Sequence, residues 1–409
     1  MFSLKRKLSP ALKDSLKNNF YNRYRVLIEY KSIKNEIEKK IKFSNGEILF
    51  SIEEIQCIAA NINTTTLLRL IELPEVKYIL LDEYAFLCGR TPLLSNGVSL
   101  QSNNSILKGD YSLSGRNIGI GLVDSGCYPH KDIIYPNNKI KCFIDLINDY
   151  KYPYDDNGHG TFISGVLCGS GHESKNKNRG IAINSHLLVV KAFDSAGKGY
   201  VSSTLMAIQK IIEFSEEYNI KVICLPFEIY STSNDILSLY SKLFKIALER
   251  NIIIIVPSGN NGTEEDSIRG IATLKEVITI GGMDTRFGNN IYPFSSCGSS
   301  KSISKPDFIA ASVDIISLNA DTNYISERNG LKIYPKKLSK PYVEYNGTSI
   351  ACAYISGVCA LLYEYNSELN FKDIYGLLKN SSSFIKEKKC MQGNGYIDLN
   401  KILPKKDGK

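Results

Sequence analysis

From residue 118 onward the chain repeats one pattern, in which short, continuously apolar stretches alternate with longer helix-like ones. Residues 118–123, 187–192, 221–225, 252–256 and 277–281 are the apolar stretches, and 203–218 and 234–249 are helix-like segments between them. A strand that is apolar on both faces must be covered on both, so the alternation calls for a parallel sheet with helices on either side. In such a sheet ligands gather at the carboxyl ends of the strands.

The N-terminal part reads differently. Residues 25–31 alternate like a strand, 34–42 read as a charged helix, and Asn45-Gly46 signals a turn before strands at 48–51 and 55–62. A capped helix at 64–72 stops near Pro74, and 76–84 is strand-like again, which gives β-α-β-β-α-β, the split ferredoxin-like unit. The fold class is therefore α/β: a doubly wound, mostly parallel sheet with helices on both faces, preceded by a small α+β ferredoxin-like domain. The boundaries fall at an N-terminal extension (1–22), the small domain (23–88), a Ser-, Asn- and Gly-rich linker (89–114), the large domain (115–403) and a basic tail (404–409).

Composition excludes several classes. Fifty basic against forty-two acidic residues give a net charge of +8, but the excess is diffuse, and its one tight cluster, Lys5-Arg6-Lys7, reads as a solvated tail rather than a nucleic-acid site. The ten cysteines fall singly, with neither C-x-x-C nor zinc spacing, so no structural zinc and no dense disulfide framework is expected. The first twenty residues lack the apolar run of a signal peptide, and the aliphatic run at 252–256 is far short of the ~20 residues that cross a bilayer. The expectation is a cytoplasmic protein with no membrane or nucleic-acid partner.

Four windows carry chemistry. The strand at 118–123 runs into Asp124-Ser125-Gly126, a carboxylate at a strand's carboxyl end that by itself is also an ordinary turn. In Asp156-Asn-Gly-His159-Gly-Thr161 a histidine opens a helix-like stretch, and Asn346-Gly-Thr-Ser349 opens another that is rich in small residues. A serine there lies in the positive field of a helix N-terminus, with its own N–H free for an oxyanion, although alone it would read as a cap. Ser258-Gly259-Asn260 follows the strand at 252–256, and its amide could be a second oxyanion donor or part of a turn. An Asp that orients a His, a His that deprotonates a Ser, and N–H donors for the oxyanion are the parts of acyl transfer.

Taken in the order Asp, His, Ser on a doubly wound sheet, residues 115–400 resemble the subtilisin-like serine peptidases. The resemblance implies a serine endopeptidase in which Asp124 orients His159, His159 is general base and acid, Ser349 is the nucleophile, and Asn260 with the Ser349 N–H binds the oxyanion. It implies that the small domain is a self-cleaved inhibitory prodomain, cut near 87–90, and that peptides or proteins are the substrate, in dedicated peptide maturation or general intracellular processing. The cleft would be lined by Pro226, Phe227, Glu228, Ser258 and Gly259.

The chain also departs from the family. Where the cleft strand usually reads Ser-Leu-Gly it has Pro226-Phe227-Glu228, which removes a backbone donor and adds a carboxylate. Glu228 could attract a basic residue before the cut, or point to solvent and merely narrow the pocket. The loop that helps bind calcium in secreted relatives is here 169–179, where Lys175 and Lys177 would repel a cation, so calcium is a candidate cofactor with no assigned site, and no metal ligand is expected. His172 and His186 read as exposed loop residues, His130 as a turn residue beside Asp132, and 318–340 as a surface loop. The competing reading is a non-catalytic regulatory or peptide-binding protein that keeps the fold with an altered cleft.

Overall fold

The computed structural model describes residues 4–89, 112–286, 288–299 and 305–404. The linker and the basic tail read from the sequence lie almost wholly outside these. The small domain contains α1 (Pro10–Lys17), β1 (Arg23–Tyr30), α2 (Asn35–Phe43), β2 (Glu47–Ile52), β3 (Cys57–Asn63), α3 (Thr64–Leu70) and β4 (Val76–Leu81), with antiparallel strand order β2-β3-β1-β4. This is the ferredoxin-like topology. Asn63 caps α3 by accepting the Thr66 N–H at 2.8 Å.

Both faces of this sheet are apolar, and period 2 divides them. Val26, Ile28, Ile58, Ala60 and Ile79 pack on Ile37 and Ile41 of α2 and on Leu67 and Leu70 of α3. Leu27, Cys57, Ala59 and Leu80 face the large domain and join its core. Residues 8–17 belong to the small domain rather than extending from it. Leu8 and Leu12 are buried in its core, and the Ser9 N–H donates to the Ile79 carbonyl.

The run read as one strand at 76–84 is two. After β4 the chain breaks at Asp82, whose carboxylate turns to Ser202, and resumes as β5 (Tyr84–Leu87) in another sheet. The large domain follows with β6 (Gly119–Asp124), α4 (Lys131–Ile134), β7 (Ile140–Asp145), α5 (His159–Cys168), β8 (His186–Lys191), β9 (Lys198–Tyr200), α6 (Val201–Glu213), β10 (Ile220–Cys224), β11 (Phe227–Ile229), α7 (Asn234–Glu249), β12 (Ile253–Pro257), β13 (Ile278–Asp284) and α8 (Thr348–Tyr365). The central sheet runs β7-β8-β6-β10-β12-β13 in parallel and continues through Phe308–Ala311, Tyr396–Ile397 and Ser382–Ser383.

Helices α5 and α8 close one face of the sheet and α6 and α7 the other, so each strand sends alternate residues into two separate cores. Small residues let α8 lie at the centre: a methyl on Gly357 would come 2.7 Å from Ile181 Cβ. The segment at 318–340 is largely peripheral, with Leu331 and Tyr334 about three-quarters exposed. His186 opens β8 rather than lying in a loop, and its Nε2 meets the Tyr218 carbonyl at 2.7 Å. His130 is buried and caps α4, whereas His172 is exposed beside the Tyr135 ring. Among the described residues no helix is long and apolar enough to cross a membrane.

Candidate active site

The sheet's topology brings the three windows together. Asp124 ends β6, the strand between β8 and β10; His159 opens α5, and Ser349 is the second residue of α8. Both carboxylate oxygens of Asp124 lie 2.9 Å from His159 Nδ1, and His159 Nε2 lies 3.1 Å from Ser349 Oγ. All three are buried in the uncut chain. With Nδ1–H donated to Asp124, Nε2 is left as the acceptor for the serine hydroxyl. Burial by itself would lower the His159 pKa, but the Asp124 carboxylate outweighs it and raises the value above 6.5.

A second ring of residues, unread in the sequence, holds this geometry. Asp155 is fully buried and accepts from Ser125 Oγ (2.8 Å), Gly158 N–H (2.8 Å), Thr161 N–H (2.8 Å) and Thr161 Oγ1 (2.6 Å). These bonds satisfy the donors that an α-helix leaves open at its start, and so fix where His159 emerges. Gly158 reaches φ +97° to make the entry, a conformation closed to most side chains. Lys191, fully buried at the end of β8, donates to the Ser125 carbonyl (2.7 Å), Asp156 (2.6 Å) and the Phe193 carbonyl (2.9 Å). The only sequence signal for these roles was the Asp155-Asp156 doublet ahead of Gly158-His159.

Asn260 Oδ1 accepts the Thr348 N–H at 3.1 Å and the Thr348 hydroxyl at 3.2 Å. An N–H can bond only to the amide oxygen, so the orientation is fixed and Nδ2 is left to donate beside the start of α8. Ser258 is buried, its N–H bonded to the Ile280 carbonyl, and Gly259 adopts φ +100°.

The cleft is occupied by the chain itself. Strand β5 lies antiparallel between β11 and β9, with Leu87 opposite Phe227, Phe86 opposite Glu228 and Ala85 opposite Ile229. Pro226 has no N–H, but its carbonyl accepts from Cys88 N–H at 3.2 Å, so the proline does not stop the pairing. The next residues reach the triad: the Cys88 carbonyl oxygen lies 3.4 Å from His159 Nε2, and a methyl on Gly89 would come 3.5 Å from Ser349 Oγ.

Glu228 does not point to solvent, as the narrowing alternative had it, although it does reach across toward Gly259. It is buried rather than solvated, with Oε2 accepting from Asn261 Nδ2 at 3.0 Å and Oε1 from the Tyr230 hydroxyl at 3.2 Å. Burial raises its pKa against the pull of these donors, so it is held by neutral partners rather than exposed as an anionic anchor. Glu173 ties the loop at 169–179 to α4: its N–H donates to Asp132, which also accepts from the Tyr342 hydroxyl, and its carboxylate pairs with Lys131 at 2.9 Å. Among the described residues no group of three or more His, Cys, Asp and Glu could hold a metal ion.

Comparisons with known proteins identify the family and the fold. Over 386 residues the chain is 26% identical to the serine protease AprX of Bacillus subtilis, covering 90% of this chain and 83% of that protein. Subtilisin DY of Bacillus licheniformis is 24% identical over 288 residues, 70% of this chain and 90% of that one. Among solved structures, the epidermin leader peptide processing serine protease of Staphylococcus aureus superposes with a TM-score of 0.72 at 17% identity, over 93% of this chain and 99% of that one. Fervidolysin from Fervidobacterium pennivorans, a keratinolytic enzyme, gives 0.71 at 19%; the match covers 95% of this chain but 62% of fervidolysin's. These two likenesses establish the fold. Residues 115–396 match the Subtilase family over more than half of the chain, and the protein belongs to that family of serine endopeptidases.

Proposed function

We propose that the protein is made as a zymogen that cuts its own Cys88–Gly89 bond by the Asp124–His159–Ser349 triad and afterwards hydrolyses other peptides in the same cleft. The observation that carries this reading is β5, which pairs with both cleft edges and delivers Gly89 to Ser349. His159 Nε2 takes the Ser349 proton as Oγ attacks the Cys88 carbonyl carbon, and Asp124 stabilises the resulting imidazolium. In the resting arrangement the Cys88 carbonyl oxygen is directed at the imidazole. The Cys88–Gly89 peptide must therefore turn until that oxygen meets Asn260 Nδ2 and the Ser349 N–H, which stabilise the oxyanion. His159 then gives its proton to the Gly89 amine, and water releases the acyl-enzyme by the reverse sequence.

After the cut, residues 4–88 keep their sheet packed on α6 and α7 and their last strand in the cleft, so the small domain acts as a product-like inhibitor. The triad geometry favours this over a non-catalytic peptide-binding role, because binding alone gives no reason to hold a serine 3.1 Å from a histidine that is bonded to a buried aspartate. A cytoplasmic setting is supported by ten unpaired thiols, nine of them buried, as a reducing compartment keeps them. Two experiments test the reading. The 1–88 segment should inhibit the processed enzyme on a peptide substrate. His159→Ala should abolish hydrolysis without unfolding the protein; hydrolysis at the wild-type rate in that variant would overturn the assignment.

A further inference from the structure

The pocket that receives the side chain before the cut is closed by this chain's own chemistry. Glu228 stands on β11, which forms one wall, and its Oε2 is so near the opposite wall that a methyl on Gly259 would come within 2.6 Å of it. The carboxylate thus spans the pocket and limits its depth. Cys88, with one heavy atom beyond Cβ, fits there with 1% of its surface exposed.

The chemistry of the closure is as selective as its size. Asn261 and Tyr230 already donate to the two carboxylate oxygens, and burial together with the adjoining Glu228 carboxylate holds the Cys88 thiol protonated, well above its ordinary pKa. The pocket therefore offers an acceptor at the end of a short, buried slot. An alanine would leave that acceptor one donor short, and a lysine or phenylalanine would need the space that Glu228 fills.

We infer that Glu228 determines specificity, restricting cleavage to bonds that follow a small side chain carrying a hydrogen-bond donor, cysteine or serine, and excluding lysine, arginine and large apolar residues. This rests on the peptidase reading and adds to it the identity of the residue before the cut.

The test places side chains in the pocket within the full chain. In a Ser349→Ala background, where no bond is cut, hydrogen exchange at residues 84–88 reports how firmly β5 is seated. Cys88→Ser should keep wild-type protection, Cys88→Ala should lose about tenfold, and Cys88→Lys and Cys88→Phe about a hundredfold. Glu228→Gly should restore protection to Cys88→Phe. With Ser349 present, self-cleavage followed by intact mass should keep the same order. Protection of Cys88→Lys or Cys88→Phe equal to wild type, or no rescue by Glu228→Gly, would overturn the assignment. If exchange follows the order but no variant is ever cut, the pocket stands and the peptidase reading fails.

Discussion

Asp82 is the joint on which the small domain's docking turns. Its carboxylate, shielded from solvent, accepts Ser202 N–H (2.9 Å) at the start of α6, Ser202 Oγ (2.6 Å) and Arg25 Nε (2.7 Å), while Arg25 also reaches Ser202 Oγ at 2.8 Å. Hydrogen bonds to a charged group contribute about 1.5–3 kcal/mol each. Their sum is cut by the cost of burying the carboxylate, which here prevails and raises the Asp82 pKa against the opposing pull of Ser202 and Arg25. Asp82→Ala should therefore weaken docking by about 2–3 kcal/mol, or roughly 30–150-fold. The assay is hydrogen exchange in the full-length Ser349→Ala protein, read at β5 and at the first turn of α6. Glu29→Ala serves as the comparison, because Glu29 pairs with the half-exposed Lys242 at 2.7 Å and should matter by about 1 kcal/mol or less. Because the docked pKa lies above the ordinary value of 3.8, docking takes up a proton at Asp82; the difference between wild type and Asp82→Ala should grow as the pH falls toward 3.8 and shrink as the pH rises through the raised value. Asp82→Ala that changes exchange no more than Glu29→Ala, or a difference between wild type and Asp82→Ala that shrinks on acidification, would refute this account of the interface.

Asn260→Ala should lower kcat by about 10²–10³ with little change in KM, the loss known for the corresponding donor of a relative, subtilisin, and steady-state kinetics on the processed enzyme would measure it. The kcat/KM of that enzyme should rise with pH through an inflection above 6.5, because His159 must be neutral to act as a base and Asp124 raises its pKa; a pH–rate profile measures the inflection, which Asp124→Asn should move downward. Lys191→Met should cost about 2–3 kcal/mol and lower the melting temperature, since two backbone carbonyls and Asp156 lose a buried donor. Denaturant titration would measure it directly.

The large domain was legible because its strands are apolar on both faces, and the segment at 234–249 coincides with α7. The triad was legible because its members sit at a strand end and at two helix starts, positions that local sequence marks by glycine and small polar residues. What escaped depended on distant partners. The apolar alternation runs on from β4 into β5, and only β9 and β11, more than a hundred residues away, take β5 into the cleft. Leu8 and Leu12 look like part of a solvated basic tail until the edge of β4 is there to cover. Glu228 was flagged as a departure, but its environment is made by Asn261, Tyr230 and Gly259, whose proximity no local pattern encodes. Lys191 looked like the polar end of a strand, and its burial follows from carbonyls and an aspartate that the fold collects around it.

The central claim is that Ser349 cuts the chain's own Cys88–Gly89 bond, and intact mass of the purified full-length protein tests it most directly. Wild type incubated at a pH above the His159 pKa should separate into two species, one ending at Cys88 and one beginning at Gly89, while Ser349→Ala should keep the mass of the uncut chain. Cutting at Cys88–Gly89 by purified Ser349→Ala, or a wild-type chain that stays whole and hydrolyses no peptide, would contradict it.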